Sequence, residues 1–291
     1  MHRGTHFLHL GLAILLMSSS GTLARLIDLP APVVIWARCV IGALALFLVI
    51  RLGGFGLSLG ANKHLKSLIV SSVFLAAHWV TYFYSLQLSS VAIGMLSLFT
   101  YPVITALLEP LMLKTRLQKT SVFLGLLAFV GIAFLVPELT LQNDHTLGIV
   151  IGICSAILYS VRNIMLKKRV SDQSGVTLMF YQLVIVVIVL FPVIFFFDFK
   201  WDHLVFEKGI PLLILGLVTT AAGHTFFVLS FKHFNISTVS VISSATPLLG
   251  IGMGFVFLNE VPAGRTYIGG AIIFATVLIE SMKSARRSSQ D

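Results

Sequence analysis

The sequence predicts an all-α integral membrane protein, with ten transmembrane helices forming two inverted five-helix repeats around a central cavity. The first observation is composition: 57% of the residues are hydrophobic, 11% are charged and the mean hydropathy is +0.99, whereas soluble domains carry about 25% charged residues. The second is a series of continuous apolar blocks of about 20 residues, the length that crosses a bilayer as a helix. The third is an internal match at a shift of 145 residues.

The apolar blocks define the spans in order. Helices are expected because a lipid environment requires every backbone polar group to be paired internally, and the alternating pattern of a barrel strand is absent from the sequence. The first block also allows a cleaved signal peptide, but the apolar sequence resumes after a short break and fits a regular series. The predicted spans are residues 7–27, 30–51, 66–87, 90–113, 118–137, 147–167, 175–197, 208–231, 235–258 and 263–282.

Basic residues between the spans predict the orientation. With the N-terminus inside, three basic residues fall on the outer side: Lys200, Lys208 and Arg265. Fourteen fall on the inner side: Arg3, Arg51, Lys63, Lys66, Lys114, Arg116, Lys119, Lys167, Lys168, Arg169, Lys232, Lys283, Arg286 and Arg287. This asymmetry follows the positive-inside rule and places both termini in the cytoplasm. The net charge of +9 is therefore interpreted as a consequence of the membrane orientation and not as a nucleic-acid-binding surface.

The internal match places spans 3 to 5 on spans 8 to 10 without a gap. Pro102 falls on Pro247 and Gly125 on Gly270, and this agreement of proline and glycine positions indicates a repeat. Because five spans per half is an odd number, the second copy must be inverted, as in alternating-access carriers. The predicted units are residues 1–138, residues 145–283 and a cytoplasmic tail, 284–291.

Three stretches resemble a known family. They are "IWARCVIGALAL" (35–46), "YSLQLSSVAIGMLSLFTYP" (84–102) and "SFKHFNISTVSVISSATPLLGIGMGFVFLNE" (230–260). They are similar to the EamA-like group of the drug/metabolite transporter superfamily, and the resemblance covers nearly the whole chain. The spacing from Pro247 to Glu260 resembles the family signature, whereas Thr115 stands at the matching place after Pro102. The resemblance implies a carrier fold and a small organic solute, with export of an amino acid or related anion.

Arg38 is the most informative polar residue, because it is predicted about 12 Å below the outer surface on span 2. A guanidinium at this depth keeps its charge and requires an acid, carbonyl groups or water nearby. The only acid in spans 1 to 3 is Asp28, at their outer edge. Two interpretations stay open: a solute anion completes the pair, or Arg38 bonds backbone carbonyls or extends outward to the interface.

An aromatic face on span 3 is the second candidate feature. His78, Tyr82 and Ser85 share one helix face, with Trp79 beside them, and such a wall suits a small amphipathic solute. Tyr84 fits an interfacial belt better. Further polar residues at similar depth complete the predicted solute site: Ser18, Tyr101, Tyr159, Gln182, His224 and Ser243. Packing between helices explains much of the serine and threonine pattern equally well.

Three residues are predicted to act in gating. Pro102 and Pro247 each free a backbone carbonyl one turn earlier, at matching points of the two halves, which suggests hinges or solute ligands. Glu109 is predicted about 6 Å from the cytoplasmic surface, beside Lys114 and Arg116, with Pro110 disfavouring regular helix after it. An inner-gate or interface ion pair is favoured over a midplane proton carrier.

These features predict a secondary carrier of a small organic metabolite in the cytoplasmic membrane, as a monomer or weak homodimer, with no cofactor and no metal. Its expected partners are the solute and the lipid bilayer. Other solutes, such as nucleotide-sugars or drug-like compounds, stay open, as do a channel and a receptor. A membrane-embedded enzyme is disfavoured because the sequence has no H-E-x-x-H pair and no G-x-S-x-G elbow. Arg25 and Arg162, near helix ends, are expected to extend to the interface.

Overall fold

The computed structural model describes residues 3–54, 56–57, 65–114, 117–138, 140–167, 175–230, 233–234, 239, 242–243 and 245–287. Within these residues the secondary structure is helical. Seven helices are long and apolar enough to cross a membrane, which makes the chain an all-α membrane protein. The other three predicted spans coincide with two shorter apolar helices and with the last helix, so ten crossings remain a prediction.

The helices follow one another with short connections. They are α1 (Arg3–Ile27), α2 (Ala31–Leu52), α3 (Leu65–Leu88), α4 (Val91–Leu98), α5 (Tyr101–Leu113), α6 (Lys119–Leu135), α7 (Asp144–Lys167), α8 (Gly175–Ile194), α9 (Gly209–Ser230), α10 (Ala245–Leu258) and α11 (Gly264–Arg287). A short π-helical turn, His203–Glu207, precedes α9, whose middle part, Ile214–His224, is also π-helical. Most helix ends lie within three residues of the predicted ends.

Two helix ends differ in detail from the sequence analysis. Helix α11 continues past the predicted end of the last span, residue 282, to Arg287; residues 288–291 lie outside the described part of the chain. Pro110 was expected to disfavour regular helix, but it lies inside α5, which ends at Leu113, the predicted end of the fourth span. Since a proline so close to the helix end removes only one intrahelical hydrogen bond, the last turn is kept. Most of the predicted start of the ninth span, 235–244, lies outside the described residues.

The fourth predicted span is two helices separated by a break at Phe99 and Thr100. Thr100 Oγ1 donates to the carbonyl of Ser97 (2.7 Å), which pairs a group that the break leaves without a helical partner. Pro102 lies in the first turn of α5, where a missing N–H costs nothing. The sequence predicted a kink at this proline, and the structure shows a new helix beginning there.

Several of the helix contacts correspond in pairs when the two halves are exchanged. Contact of α3 with α7 corresponds to contact of α1 with α9, and α2–α9 corresponds to α3–α8. Contact of α1 with α10 corresponds to contact of α7 with α4 and α5. In the contacts α2–α8 and α6–α11 the two helices simply change places, so each contact is its own counterpart. Lys114 and Asn259, 145 residues apart in number, both end a helix in the left-handed conformation. A two-fold relationship between halves predicts this pattern.

The pair α6 and α11 packs beside the main core, and glycines allow the close approach. A Cβ on Gly131 would lie 3.0 Å from the carbonyl oxygen of Gly269, so side chains there would push the helices apart. The larger apolar core is formed mainly by α2, α3 and α8 with parts of α1, α7 and α9. It holds the helices that surround the candidate site.

Candidate functional site

A cavity of about 60 Å³ lies between helices of both halves. Its walls come from α1, α3, α4 and α5 of the first half and from α7, α9 and α10 of the second. This volume holds a few water molecules, so an organic solute requires the bundle to open. The lining residues are Ile14, Met17, Ser20, His78, Trp79, Tyr82, Met95, Leu98, Phe99, Tyr101, Tyr159, His224, Phe227, Ser243 and Thr246.

Aromatic rings form most of the cavity wall. The imidazole of His78 stacks on the ring of Tyr159, with centroids 4.4 Å apart, and its centroid lies 6.2 Å from that of the nearly parallel Tyr82 ring. Tyr159 in turn meets the ring of Tyr101 edge-on at 4.8 Å. His78 and Tyr82 are on α3, Tyr101 on α5 and Tyr159 on α7, so the predicted aromatic residues do lie together.

Ser155 on α7 fixes the tautomer of His78. The Ser155 hydroxyl donates to the backbone carbonyl of His78 (2.8 Å), so it can only accept from the imidazole nitrogen Nδ1, 2.8 Å from it. The carbonyl oxygen of Ser155, 3.2 Å from Nδ1, is also an acceptor. Nδ1 therefore carries the proton, which leaves Nε2 as an acceptor on a ring that lines the cavity.

Arg38 lies behind the cavity wall and is not a lining residue. Its guanidinium donates from Nε to Thr220 Oγ1 (2.8 Å) and from Nη2 to Thr219 Oγ1 (3.2 Å), both on the π-helical part of α9. Nη1 donates to Ser20 Oγ (3.4 Å), and the guanidinium carbon lies 4.8 Å from the ring centroid of Trp79. With 1% of its surface exposed, Arg38 does not extend to the interface.

Gln182 and Arg162 form a second polar cluster away from the lining. Arg162 was expected to extend to the interface, which is wrong because it is only 2% exposed and α7 is surrounded by other helices there. Its Nη2 donates to Gln182 Oε1 (2.6 Å), and its Nη1 donates to Asn163 Oδ1 (3.0 Å). Gln182 Nε2 reaches Ser71 Oγ on α3 at 3.5 Å.

Arg25 also differs from the sequence expectation. It does not extend freely to the interface, because its Nε lies 3.2 Å from Glu260 Oε1 in an ion pair. The Nη1 group donates to the carbonyl of Gln87 (2.8 Å). Oε2 of Glu260 accepts from the backbone N–H of Val91 (2.8 Å), at the start of α4, where a helix N-terminus favours a carboxylate.

The predicted serines fall in different places. Ser18 is buried, and its hydroxyl donates within α1 to the carbonyl of Ile14 (2.6 Å), so it does not line the cavity. Ser243 does line it, and among the described residues its buried hydroxyl has no hydrogen-bond partner. The sequence reasoning missed Ser20, although Ser20 lies one helical turn after the lining residue Met17.

The two prolines predicted as hinges each follow a lining residue. Pro102 follows Tyr101 and lies in the first turn of α5, and Pro247 follows Thr246 on α10. Thr246 is a second lining residue that the sequence reasoning missed, although it matches Tyr101 at the shift of 145. The helix interruption before Pro102 thus occurs at the cavity wall.

Glu109 is half-buried on α5, four residues before the end of that helix, as predicted. Arg116, one of its two predicted partners, lies outside the described residues. In the part of the chain that the structure describes, no group of three His, Cys, Asp or Glu side chains has the geometry of a metal site.

The model of the EamA-like transporter family matches residues 7–136 and, separately, residues 146–282. The chain belongs to the EamA-like transporter family. The pseudopaline exporter CntI of Pseudomonas aeruginosa strain UCBPP-PA14 is 26% identical over 245 residues, which cover 84% of this chain and 84% of the exporter. An uncharacterised transporter of Bacillus subtilis, YxxF, is 24% identical over 277 residues, covering 94% and 88% of the two chains.

A solved crystal structure of another protein shares the fold of this EamA-like chain. Its TM-score is 0.69 at 17% identity, and the match covers 98% of this chain and 99% of the other. Together with the family match and the apolar helices, these findings show a multi-pass membrane transporter and not an enzyme.

Proposed function

We propose that this EamA-like protein is a secondary carrier that moves a small organic metabolite across the cytoplasmic membrane by alternating access. The observation that carries the proposal is the origin of the cavity wall, which corresponding helices of both halves supply. In alternating access the two halves move against each other around a fixed site. A site built by both halves is therefore opened and closed by such a movement.

The proposed architecture is two inverted five-helix repeats, residues 1–138 and 145–283, with both termini in the cytoplasm. The exchange of helix contacts between halves and the left-handed ends at Lys114 and Asn259 support the repeat. The excess of basic residues on one side supports the orientation. Pro102 and Pro247 are proposed hinges, because each follows a residue that lines the cavity, Tyr101 and Thr246.

The solute is proposed to be small and amphipathic, such as an amino acid or a related anion. Aromatic rings of Trp79, Tyr101 and Tyr159 offer apolar faces, and Ser243 and the Nε2 atom of His78 offer hydrogen-bond partners. The name of the Pseudomonas relative, an exporter, supports export as the direction. The carrier is proposed to work as a monomer or weak homodimer in the lipid bilayer.

Solute counterflow in liposomes tests the proposal. Purified protein is reconstituted in liposomes loaded with an unlabelled metabolite, and uptake of the same labelled metabolite is followed for a panel of amino acids, organic acids, nucleotide-sugars and drug-like compounds. A carrier gives transient accumulation of one class. A channel gives equilibration without accumulation, an enzyme consumes the compound and a receptor does neither; any of these results overturns the proposal.

A matched pair of substitutions connects transport with the cavity. Thr246→Phe places a bulky ring in the cavity, so we expect it to abolish counterflow. Thr120→Phe makes the same change at an exposed position of α6 and should leave counterflow intact. Equal rates for both variants, at equal amounts of reconstituted protein, would mean that the solute crosses elsewhere.

A further inference from the structure

Arg162 supplies the buried guanidinium of a polar cluster in the second half that corresponds to the Arg38 cluster of the first half, although Gln182 and not Arg162 stands at the place of Arg38. Arg38 on α2 bonds to Ser20 on α1 and to Thr219 and Thr220 on α9. Exchange of the halves turns α2, α1 and α9 into α8, α7 and α3. These three helices carry Gln182, Arg162 and Ser71, which are bonded to one another in the same order.

Each half therefore buries one guanidinium in a cluster of neutral partners. In the described part of the chain neither arginine lies within ion-pair distance of a carboxylate, and the described lining contains no aspartate or glutamate. Among the described residues, the two buried positive charges are thus compensated by hydroxyl and amide dipoles and by the rings of Trp79 and Phe83. Since arginine does not deprotonate in proteins, this charge stays.

Each of the two charges lies next to residues that line the cavity. Arg38 contacts Trp79 and Ser20, which are lining residues from the first half. Arg162 lies one helical turn after the lining residue Tyr159 on α7. A solute that enters the opened cavity is therefore exposed to a positive potential from both halves.

One hydrogen-bond donor of Arg162 has no partner among the described residues. Its Nε atom is buried and has no hydrogen-bond partner among the described residues, whereas the Nε atom of Arg38 is bonded to Thr220. A buried donor without a partner is costly, and burying a charge is more costly still. Both costs fall when an acidic group approaches the guanidinium, and the chain itself supplies none at this place within the described residues.

We infer that the solute carries two acidic groups, one recognised by Arg38 and one by Arg162, and that Arg162 is the solute-binding arginine of the second half. The inference rests on the proposed carrier function and names its substrate class, a dianion such as a dicarboxylate with an apolar or aromatic body. The aromatic lining receives the body, and the acidic groups point toward the two clusters as the cavity opens.

Binding of matched acids tests the inference. The probes are terephthalate and heptanedioate, each compared with its own monomethyl ester, which removes one negative charge and keeps the body. Dissociation constants are measured by tryptophan fluorescence of the purified full-length protein, with thermal melting as a second readout. We expect at least one dicarboxylate to bind about 10-fold more tightly than its ester.

The same preference is then measured in variants. In Arg162→Gln the ratio of the two dissociation constants should fall toward one, while the ester binds as in the wild type. Arg162→Lys keeps the charge but loses the planar fork, so it should recover part of the ratio. Arg51→Gln, which removes an exposed arginine at the end of α2, should keep the full ratio.

Three outcomes overturn the inference. In the first, no dicarboxylate binds more tightly than its ester, which decides the question in the wild type even if a variant fails to fold. In the second, Arg162→Gln weakens dicarboxylate and ester equally, which makes Arg162 structural. In the third, counterflow is obtained only with neutral or cationic solutes. The carrier function itself stands in all three and fails only if no solute shows counterflow.

Discussion

The guanidinium of Arg25 and the carboxylate of Glu260 lie 3.2 Å apart, Nε to Oε1, and join the end of α1 to the segment that follows α10. The second carboxylate oxygen accepts from Val91 N at the start of α4, and Arg25 Nη1 donates to the carbonyl of Gln87 near the end of α3. In the proposed orientation this junction lies at the outer end of the bundle, and we propose that it acts there as a gate. At the shift of 145 residues, Thr115 stands in place of Glu260, so the carboxylate belongs to one side only.

The first prediction concerns this junction. Glu260→Gln removes the ion pair and keeps one oxygen for Val91, so the closed outer side should lose about 1 kcal/mol, a modest figure because both side chains are partly exposed. This corresponds to roughly 5-fold more outward opening. A Ser243→Cys probe in a cysteine-free background should then react about 5-fold faster with an impermeant thiol reagent added outside.

Asp28→Asn is the matched control for that variant. Asp28 lies at the same end of the bundle and adopts a left-handed conformation that asparagine tolerates, so the same loss of charge should not change the reaction rate. If both substitutions accelerate labelling equally, a general loss of negative charge explains the effect. In that case the junction is not a gate.

Cysteine labelling in whole cells tests the orientation. Gln142 lies on the exposed segment before α7, and Leu117 is exposed before α6. In a background without Cys39 and Cys154, Gln142→Cys should react with an impermeant reagent from outside, and Leu117→Cys should react only after the cells are opened. The reverse pattern would invert the topology, and outside access to both would refute the span count.

Glu109 is predicted to serve a gate and not to carry protons. Its position near the end of α5 places it close to the membrane surface in the proposed topology. Glu109→Gln should therefore slow counterflow or bias the resting conformation, while the pH dependence of transport stays as in the wild type. Abolition of proton-driven uptake with exchange preserved would instead identify Glu109 as a proton site.

The fold was largely predictable because two strong constraints act on the sequence. A bilayer requires continuous apolar helices, and this fixed most helix ends to within a few residues. The break at Phe99 and Thr100 was predicted only as a kink, because the sequence shows the proline and not how the residues before it pair. Helix α11 continues past the predicted end of its span, residue 282, because a polar helix can extend beyond the membrane.

The candidate site was predictable in part. Residues on aromatic faces, such as His78 and Tyr159, do line the cavity, because helical spacing determines which side chains share a face. The arginines were harder, since spacing and depth do not reveal partners on distant helices. Arg38 meets Thr220 and Arg162 meets Gln182 through packing between helices that the sequence alone does not align.

The last prediction separates the two nitrogens of His78. Asparagine places an amide N–H near the position of Nδ1 and has no atom at Nε2, so His78→Asn should keep the contact with Ser155 and lose the acceptor facing the cavity. We expect its melting temperature to stay close to that of the wild type, while solute affinity falls.

Ser155→Ala makes the opposite change. It removes the hydroxyl bonds between α3 and α7 and leaves the imidazole in place, with the Ser155 carbonyl still available to Nδ1. Interhelical hydrogen bonds in membranes contribute about 0.6 kcal/mol on average. We therefore expect Ser155→Ala to lower the melting temperature slightly and to leave solute affinity unchanged. The two variants are compared by thermal melting in detergent and by counterflow at several solute concentrations. If His78→Asn has a lower melting temperature than the wild type but the same solute affinity, Nε2 does not contact the solute. His78 then serves only to hold α3 against α7.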